Sequence, residues 1–172
     1  YRTVSPESTD RFTRPTPVRG VAGAIQLSAS LDYVCAVRDD GSVVCWGDGG
    51  LGRFGYEDAP RGTHVVAVPG IANATAVAAG NNHVCALRRN RTVACWGSNE
   101  YSRLGAQRVR EPFRPRTITG LGPVSAVSAS ISHTCVLQQN GAVRCWGLVG
   151  GARTDDRVTR AAPVTVPLVN VR

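Results

Sequence analysis

The chain is 172 residues long and 42% hydrophobic, with a formal net charge of +8, 19 glycines, 10 prolines, 6 cysteines and no methionine. That length suits one domain with a sizeable apolar core. No apolar run reaches membrane-spanning length, which excludes a helical membrane span, and no Leu/Glu/Lys-rich stretch with helical period argues for an all-α fold.

Every one of the twenty basic residues is arginine, scattered rather than gathered in a block. Such usage fits a compositional bias, while guanidinium groups also suit carboxylate-, phosphate- or sulfate-bearing partners. The opening lacks the charged-then-apolar pattern of a signal peptide, and with Tyr1 in first place a processed protein or a fragment is expected.

In chain order, residues 1–20 read as a lead-in or the end of a preceding repeat. A small-residue strand, "AIQLSAS", then leads into "YVCAVRDDGSVVCWG" and a glycine-rich stretch, "DGGLGRFG". The pattern returns as "ATAVAAG" with "HVCALRRNRTVACWG", and again as "VSAVSAS" with "HTCVLQQNGAVRCWG". Cysteines fall at 35, 85 and 135 and at 45, 95 and 145, so the period is fifty residues. The units are 21–70, 71–120 and 121–162, and residues 163–172 read as the opening strand of an incomplete fourth repeat.

Within a unit, two β-favouring runs flank turn chemistry such as "DDG" or "QNG", where glycine supplies the positive φ. Pairing about residue 40 sets Cys35 opposite Cys45, Val37 opposite Val43, Ala36 opposite Val44 and Val34 opposite Trp46. Both faces of that hairpin are then apolar, so neither can lie in water, and stacked copies of the unit supply the covering layers. The expected fold is all-β: three propeller blades of about four antiparallel strands, forming a partial propeller or arc. Closed propellers have four to eight blades, so three units call for an excised piece, an open arc, or closure by association.

The stretches after the hairpins resemble the regulator-of-chromosome-condensation repeat. In the second unit Trp96, Gly97, Asn99, Leu104 and Gly105 match its turn, and His83, Cys85, Ala86 and Leu87 match its strand. The resemblance covers nearly the whole chain from about residue 20 and implies a β-propeller, usually of seven blades, whose loops bind other proteins. In the third unit "CWGLVGGARTDD" lacks the Asn and the Leu-Gly, so a reshaped loop is expected over 148–160. The nuclear member of the family exchanges nucleotide on a small GTPase and binds chromatin, and no residue pattern here carries either activity over. A secreted member of similar repeat type inhibits a β-lactamase through its loop face, and cysteine-paired repeats like these resemble those of exported bacterial proteins, so the resemblance implies extracellular protein binding as the nearer analogy.

Four readings compete for Cys35, Cys45, Cys85, Cys95, Cys135 and Cys145. Zinc fails on spacing, and thioredoxin-like chemistry lacks its Cys-x-x-Cys at a helix start. Free buried thiols remain as the plain alternative to cross-strand disulfides within each hairpin, whose Cα separations of about 4.5–5.5 Å suit the bond. The disulfide reading implies an oxidising compartment: secreted, cell-surface or periplasmic.

His83 and His133 occupy the position of Tyr33 and read as strand-end packing residues rather than ligands or bases. Trp46, Trp96 and Trp146 read as packing between blades. No catalytic constellation, metal site or cofactor motif stands out, so the chain is expected not to be an enzyme. Arg53, Arg103 and Arg153, again fifty apart, either line a cationic arc or tie each loop to the next blade. The most basic stretch holds Arg103, Arg108, Arg110, Arg114 and Arg116 around Phe113 and is the candidate binding segment. An extracellular protein partner is expected first, with copies of the chain or an acidic surface or polysaccharide as alternatives; nucleic acid fits poorly with disulfides.

Overall fold

The structure is a computed structural model that describes residues 17–57, 59, 62–149 and 158–166. It contains three antiparallel sheets of four strands each, in the orders β1-β2-β3-β4, β5-β6-β7-β8 and β9-β10-β11-β12. The first holds β1 (Ala24–Ala29), β2 (Tyr33–Arg38), β3 (Val43–Gly47) and β4 (Gly62–Ala67). The second holds β5 (Ala74–Ala79), β6 (His83–Arg88), β7 (Val93–Gly97) and β8 (Arg116–Thr117). The third holds β9 (Val124–Ala129), β10 (His133–Gln138), β11 (Val143–Val149) and β12 (Val158–Val166). Among the described residues the three sheets form an open series, as a partial propeller requires.

The central hairpin has the register that its turn dictates. Cys35 pairs with Cys45, Val37 with Val43, Ala36 with Val44 and Val34 with Trp46, and the same pattern recurs fifty residues on. At the turn, Gly41 takes φ +81°, and a side chain there would lie 2.9 Å from the Ala72 carbonyl oxygen of the next unit. All three cysteine pairs are disulfides, Cys35–Cys45, Cys85–Cys95 and Cys135–Cys145, each with Cα atoms 4.1 Å apart. That short spacing is the one expected of a non-hydrogen-bonded antiparallel pair.

Strand alternation gives each sheet two unlike faces. The cysteine face of the first sheet, with Val37, Val43 and Cys45, packs on Val77, Val84, Ala94 and Trp96 of the second. The cysteine face of the second, with Leu87, Val93 and Cys95, packs in turn on Val124, Val136 and Trp146 of the third. Trp96 and Trp146 are fully buried, and their indole N–H groups donate to the Arg53 and Arg103 carbonyls at 2.8 Å, fixing each loop to the next sheet. Trp46 lies on the outer face of the first sheet and is half-buried.

Inner strands are joined by side-chain to edge-backbone bonds. The Gln26 side-chain amide donates to the Val77 carbonyl and accepts from its N–H, and Ser28 Oγ accepts from the Ala79 N–H at 3.0 Å.

One expectation is corrected here. Residues 163–166, read as the opening of a fourth unit, lie in β12 and pair with β11, Cys145 facing Val164 and Val143 facing Val166. They are the last strand of the third sheet, the place β4 takes in the first. Residues 167–172 and 1–16 lie outside the described residues.

Candidate functional site

In a four-stranded up-and-down sheet the β1–β2 turn and the β3–β4 loop emerge on the same side. That side carries residues 30–32 and 48–57 of the first unit, and their counterparts in the others. The loops begin alike: Gly50–Gly52 and Glu100–Ser102 each form a short 3-10 turn. In the second loop Asn99 closes the turn from within, its Oδ1 accepting from the Leu104 N–H at 3.0 Å and its amide donating to the Ala106 carbonyl at 3.0 Å. The third unit lacks that Asn. Instead β11 runs on to Val149 and pairs with β12 up to Val149–Val158, so the hairpin is longer where the others turn.

Each of the first two loops is held down by its arginine. The Arg53 guanidinium donates to both Asp32 carboxylate oxygens at 3.2 Å, to the Asp48 carbonyl at 3.1 Å and to Asn82 Oδ1 of the second sheet at 2.7 Å. It also lies 5.2 Å from the centre of the Tyr33 ring. Arg103 donates to the Glu100 carbonyl at 2.7 Å and to its carboxylate at 3.1 Å, with Tyr101 stacked beside it. Arg53 and Arg103 are 7% and 2% exposed, so neither presents its charge to solvent as a cationic arc would require. Arg153 lies outside the described residues.

With those guanidinium groups buried, the accessible charges at the start of the first two loops include the carboxylates of Asp32 and Glu100, whose side chains are 46% and 59% exposed. Between them stand apolar side chains. Leu51 and Tyr101, fifty residues apart, are half exposed on left-handed backbone, φ 59° and 57°. Left-handed backbone is costly for a large side chain and recurs at functional loops. Leu31 and Ile131, at equivalent β1–β2 turns, are 83% and 67% exposed. They flank a shallow depression of about 280 Å³ floored by Gly80 and Asn81.

The basic segment lies further out. Arg110, Phe113 and Arg114 join Tyr56, Pro69 and Pro112 around a cleft of about 640 Å³ between the first and second units. Phe113 is half-buried and reaches so far across Gly52 that a Cβ there would lie 2.0 Å from its ring. Arg108, Arg110 and Arg114 are exposed, and Arg114 meets Glu111 at 3.5 Å. The structure thus gathers Arg110, Phe113 and Arg114 in one cleft and separates them from the buried Arg53 and Arg103. Sequence reasoning missed Leu31, Leu51, Tyr101 and Ile131; the available signal was large apolar residues at equivalent repeat positions, fifty apart for Leu51 and Tyr101 and two repeats apart for Leu31 and Ile131, inside glycine- and serine-rich turns.

His83 is buried and shares a 2.7 Å hydrogen bond with Thr134 Oγ1 of the third sheet. Burial first, then the Arg103 charge, lowers its pKa to about 3, so it packs as a neutral ring. Tyr33, its counterpart, donates to the Gly80 and His83 carbonyls at 2.6 and 3.0 Å. Both residues join neighbouring sheets, as strand-end packing implies. Among the described residues no group of three or more His, Cys, Asp and Glu side chains could hold a metal ion.

Two family models described as "Regulator of chromosome condensation (RCC1) repeat" match the chain, one over residues 24–53 and 74–103, the other over 92–137. The chain belongs to the RCC1 repeat family. Solved structures agree on the fold. Yeast RCC1 (Prp20) bound by Kap60 superposes with a TM-score of 0.71 at 20% identity, covering 85% of this chain and 38% of that one. Human WBSCR16 gives 0.71 at 22% identity over 84% and 38% of the two chains. Prp20p from Saccharomyces cerevisiae, described with its binding to Gsp1p and histones, gives 0.70 at 20% identity over 85% and 39%. This RCC1-repeat chain therefore spans less than half the length of these structures. No curated protein matches it by sequence.

Proposed function

We propose that this RCC1-repeat arc is a non-catalytic, extracellular protein-binding module that engages its partner through the β1–β2 turns and β3–β4 loops. The observation that carries the reading is the pair Leu51 and Tyr101, held in exposed left-handed backbone by buried arginines. Exposed apolar side chains rimmed by polar groups mark interaction surfaces. Rigidly held loops lower the ordering cost of binding. Leu31 and Ile131 extend the apolar set on the same side, and the cleft of Arg110, Phe113 and Arg114 adds a basic flank at the outer rim. Three disulfides support an oxidising compartment, at the cell surface, secreted or periplasmic. Yeast Prp20p is described with its binding to a protein, Gsp1p, and to histones, which fits a binding role for a fold of this kind.

The test is affinity capture from surface and secreted protein extracts by the wild-type chain and by a Leu51→Ser, Tyr101→Ser double variant, read by quantitative mass spectrometry. Proteins enriched on the wild type and lost from the variant are expected. Equal capture by both, or retention of acidic polysaccharide alone, overturns the reading.

A further inference from the structure

The central hairpins turn at 39–42, 89–92 and 139–142, on the side opposite the loops, and the three turns share one geometry. The third residue of each is left-handed, and its N–H donates to the carbonyl of the residue before the turn: Gly41 to Arg38, Arg91 to Arg88 and Gly141 to Gln138, at 2.9, 2.9 and 3.0 Å. Glycine adopts such backbone without strain, but Arg91 holds φ +66° with a full side chain. An arginine placed at a steric cost where its two counterparts are glycine points to a use for its charge. That charge is accessible. Arg89 and Arg91 are exposed; Arg89 makes one long contact, 3.4 Å to the Asp39 carbonyl, and the Arg91 side chain makes none among the described residues. The backbone beneath them is fixed, because the Arg89 N–H donates to the Asn73 carbonyl and the Arg91 carbonyl accepts from the Val124 N–H at 3.0 Å. Beside Val124, the Pro123 carbonyl accepts from the Gln139 N–H at 2.9 Å, which sets the third turn next to the second. The surface there is polar: Asn90 Oδ1 accepts from the Thr92 N–H and hydroxyl at 3.3 and 2.7 Å, leaving the Asn90 NH2 group to donate outward, and Gln139 and Asn140 are exposed. None of the large exposed apolar residues lies in these turns, so the apolar contacts that a protein interface core or a membrane anchor draws on are missing.

We propose that the second and third hairpin turns form a binding site for an acidic polysaccharide. Its carboxylate or sulfate groups meet the guanidinium groups of Arg89 and Arg91, and its hydroxyls meet the amides of Asn90, Gln139 and Asn140. The exposed carboxylates of Asp39 and Asp40 on the first turn repel such a chain and set one edge of the site. A nucleic acid would satisfy the same arginines; the choice of polysaccharide rests on the oxidising-compartment reading given above. The site lies on the side away from Leu51 and Tyr101, so a protein on the loops and a polysaccharide on the turns do not compete.

The test is binding of the full chain to immobilised dextran sulfate and polygalacturonate across a salt series, beside neutral dextran and a single-stranded oligonucleotide of matched charge. The wild type is expected to bind both acidic polymers, more weakly as salt rises, and to leave neutral dextran unbound. Arg91→Gly is expected to weaken binding about two- to fivefold, and Arg89→Gln with Arg91→Gly about five- to twentyfold. Because Arg91→Gly gives the second turn the residue that the other two already have, it should melt no lower than the wild type, which separates lost binding from lost fold. Arg160→Gln removes the same charge from an exposed position at the loop-side end of β12 and is expected to bind as the wild type does. An equal loss in Arg160→Gln overturns the proposal, since net charge alone then explains binding. So does a double variant that binds as tightly as the wild type, or a wild type that fails to prefer the acidic polymers to dextran. Tighter binding to the oligonucleotide overturns the polysaccharide assignment and the compartment reading together, whereas the other three outcomes leave that reading standing.

Discussion

Replacing Arg53 by glutamine separates the two roles open to a loop arginine. The guanidinium makes hydrogen bonds to Asp32, the Asp48 carbonyl and Asn82, and Gln is too short to reach all three. The Asp32 side chain is 46% exposed and rehydrates when released, so its share is small. The charge-assisted bonds to the Asp48 carbonyl and to Asn82 are part-buried in the junction and contribute about 1.5–3 kcal/mol together with the lost ring contact. Arg53→Gln is therefore expected to cost about 2–3 kcal/mol, or about 5–10 °C in melting temperature for a chain of this size. Urea unfolding followed by tryptophan fluorescence reads this directly, because Trp96 donates to the Arg53 carbonyl. An unchanged unfolding midpoint, accompanied by loss of partner binding, would refute the structural role and return Arg53 to the binding surface.

Thiol titration of the unfolded, unreduced chain is expected to find no free cysteine, and replacing Cys85 and Cys95 together by alanine should cost about 2.5 kcal/mol from the ten-residue loop that the bond closes; titratable thiols would contradict the pairing. His83 has a native pKa near 3, below the ordinary 6.5, so on acidification the unfolded state takes up the proton first. Stability is full above about pH 6.5 and falls by up to about 1.4 kcal/mol per pH unit down to pH 3, so between pH 7.5 and 5 the wild type should lose about 2 kcal/mol more than His83→Gln in paired urea titrations. Trp96→Phe leaves the Arg53 carbonyl without its donor and opens a void between the first two sheets, for an expected loss of about 2–4 kcal/mol in the same assay. The half-buried Trp46 tolerates the same change with a much smaller loss in the single chain.

The hairpins, the cysteine pairing and the buried tryptophans were legible because the chain contains three copies of one unit, and a period-two pattern around a glycine turn fixes which residues face each other. The fate of Pro163 to Val166 was not legible. Outer strands have little apolar alternation of their own, as the two-residue β8 shows, and the third loop lacks the Asn and Leu-Gly that mark the turn before them. Spacing placed Arg53 and Arg103 correctly within the units but carried no information on their burial. That depends on Asp32 and Asn82, brought beside Arg53 from turns 21 and 29 residues away. The exposure of Leu51 and Tyr101 arises from left-handed backbone at non-glycine positions, a local conformation that side-chain type alone does not announce.

Hydrogen–deuterium exchange of the chain with and without a captured partner tests the binding-face assignment most directly. The account predicts slowed exchange in residues 30–32, 48–57, 98–107 and 130–132, on the side that carries Leu31, Leu51, Tyr101 and Ile131. Protection confined to the opposite turns, at 39–42, 89–92 and 139–142, would contradict it.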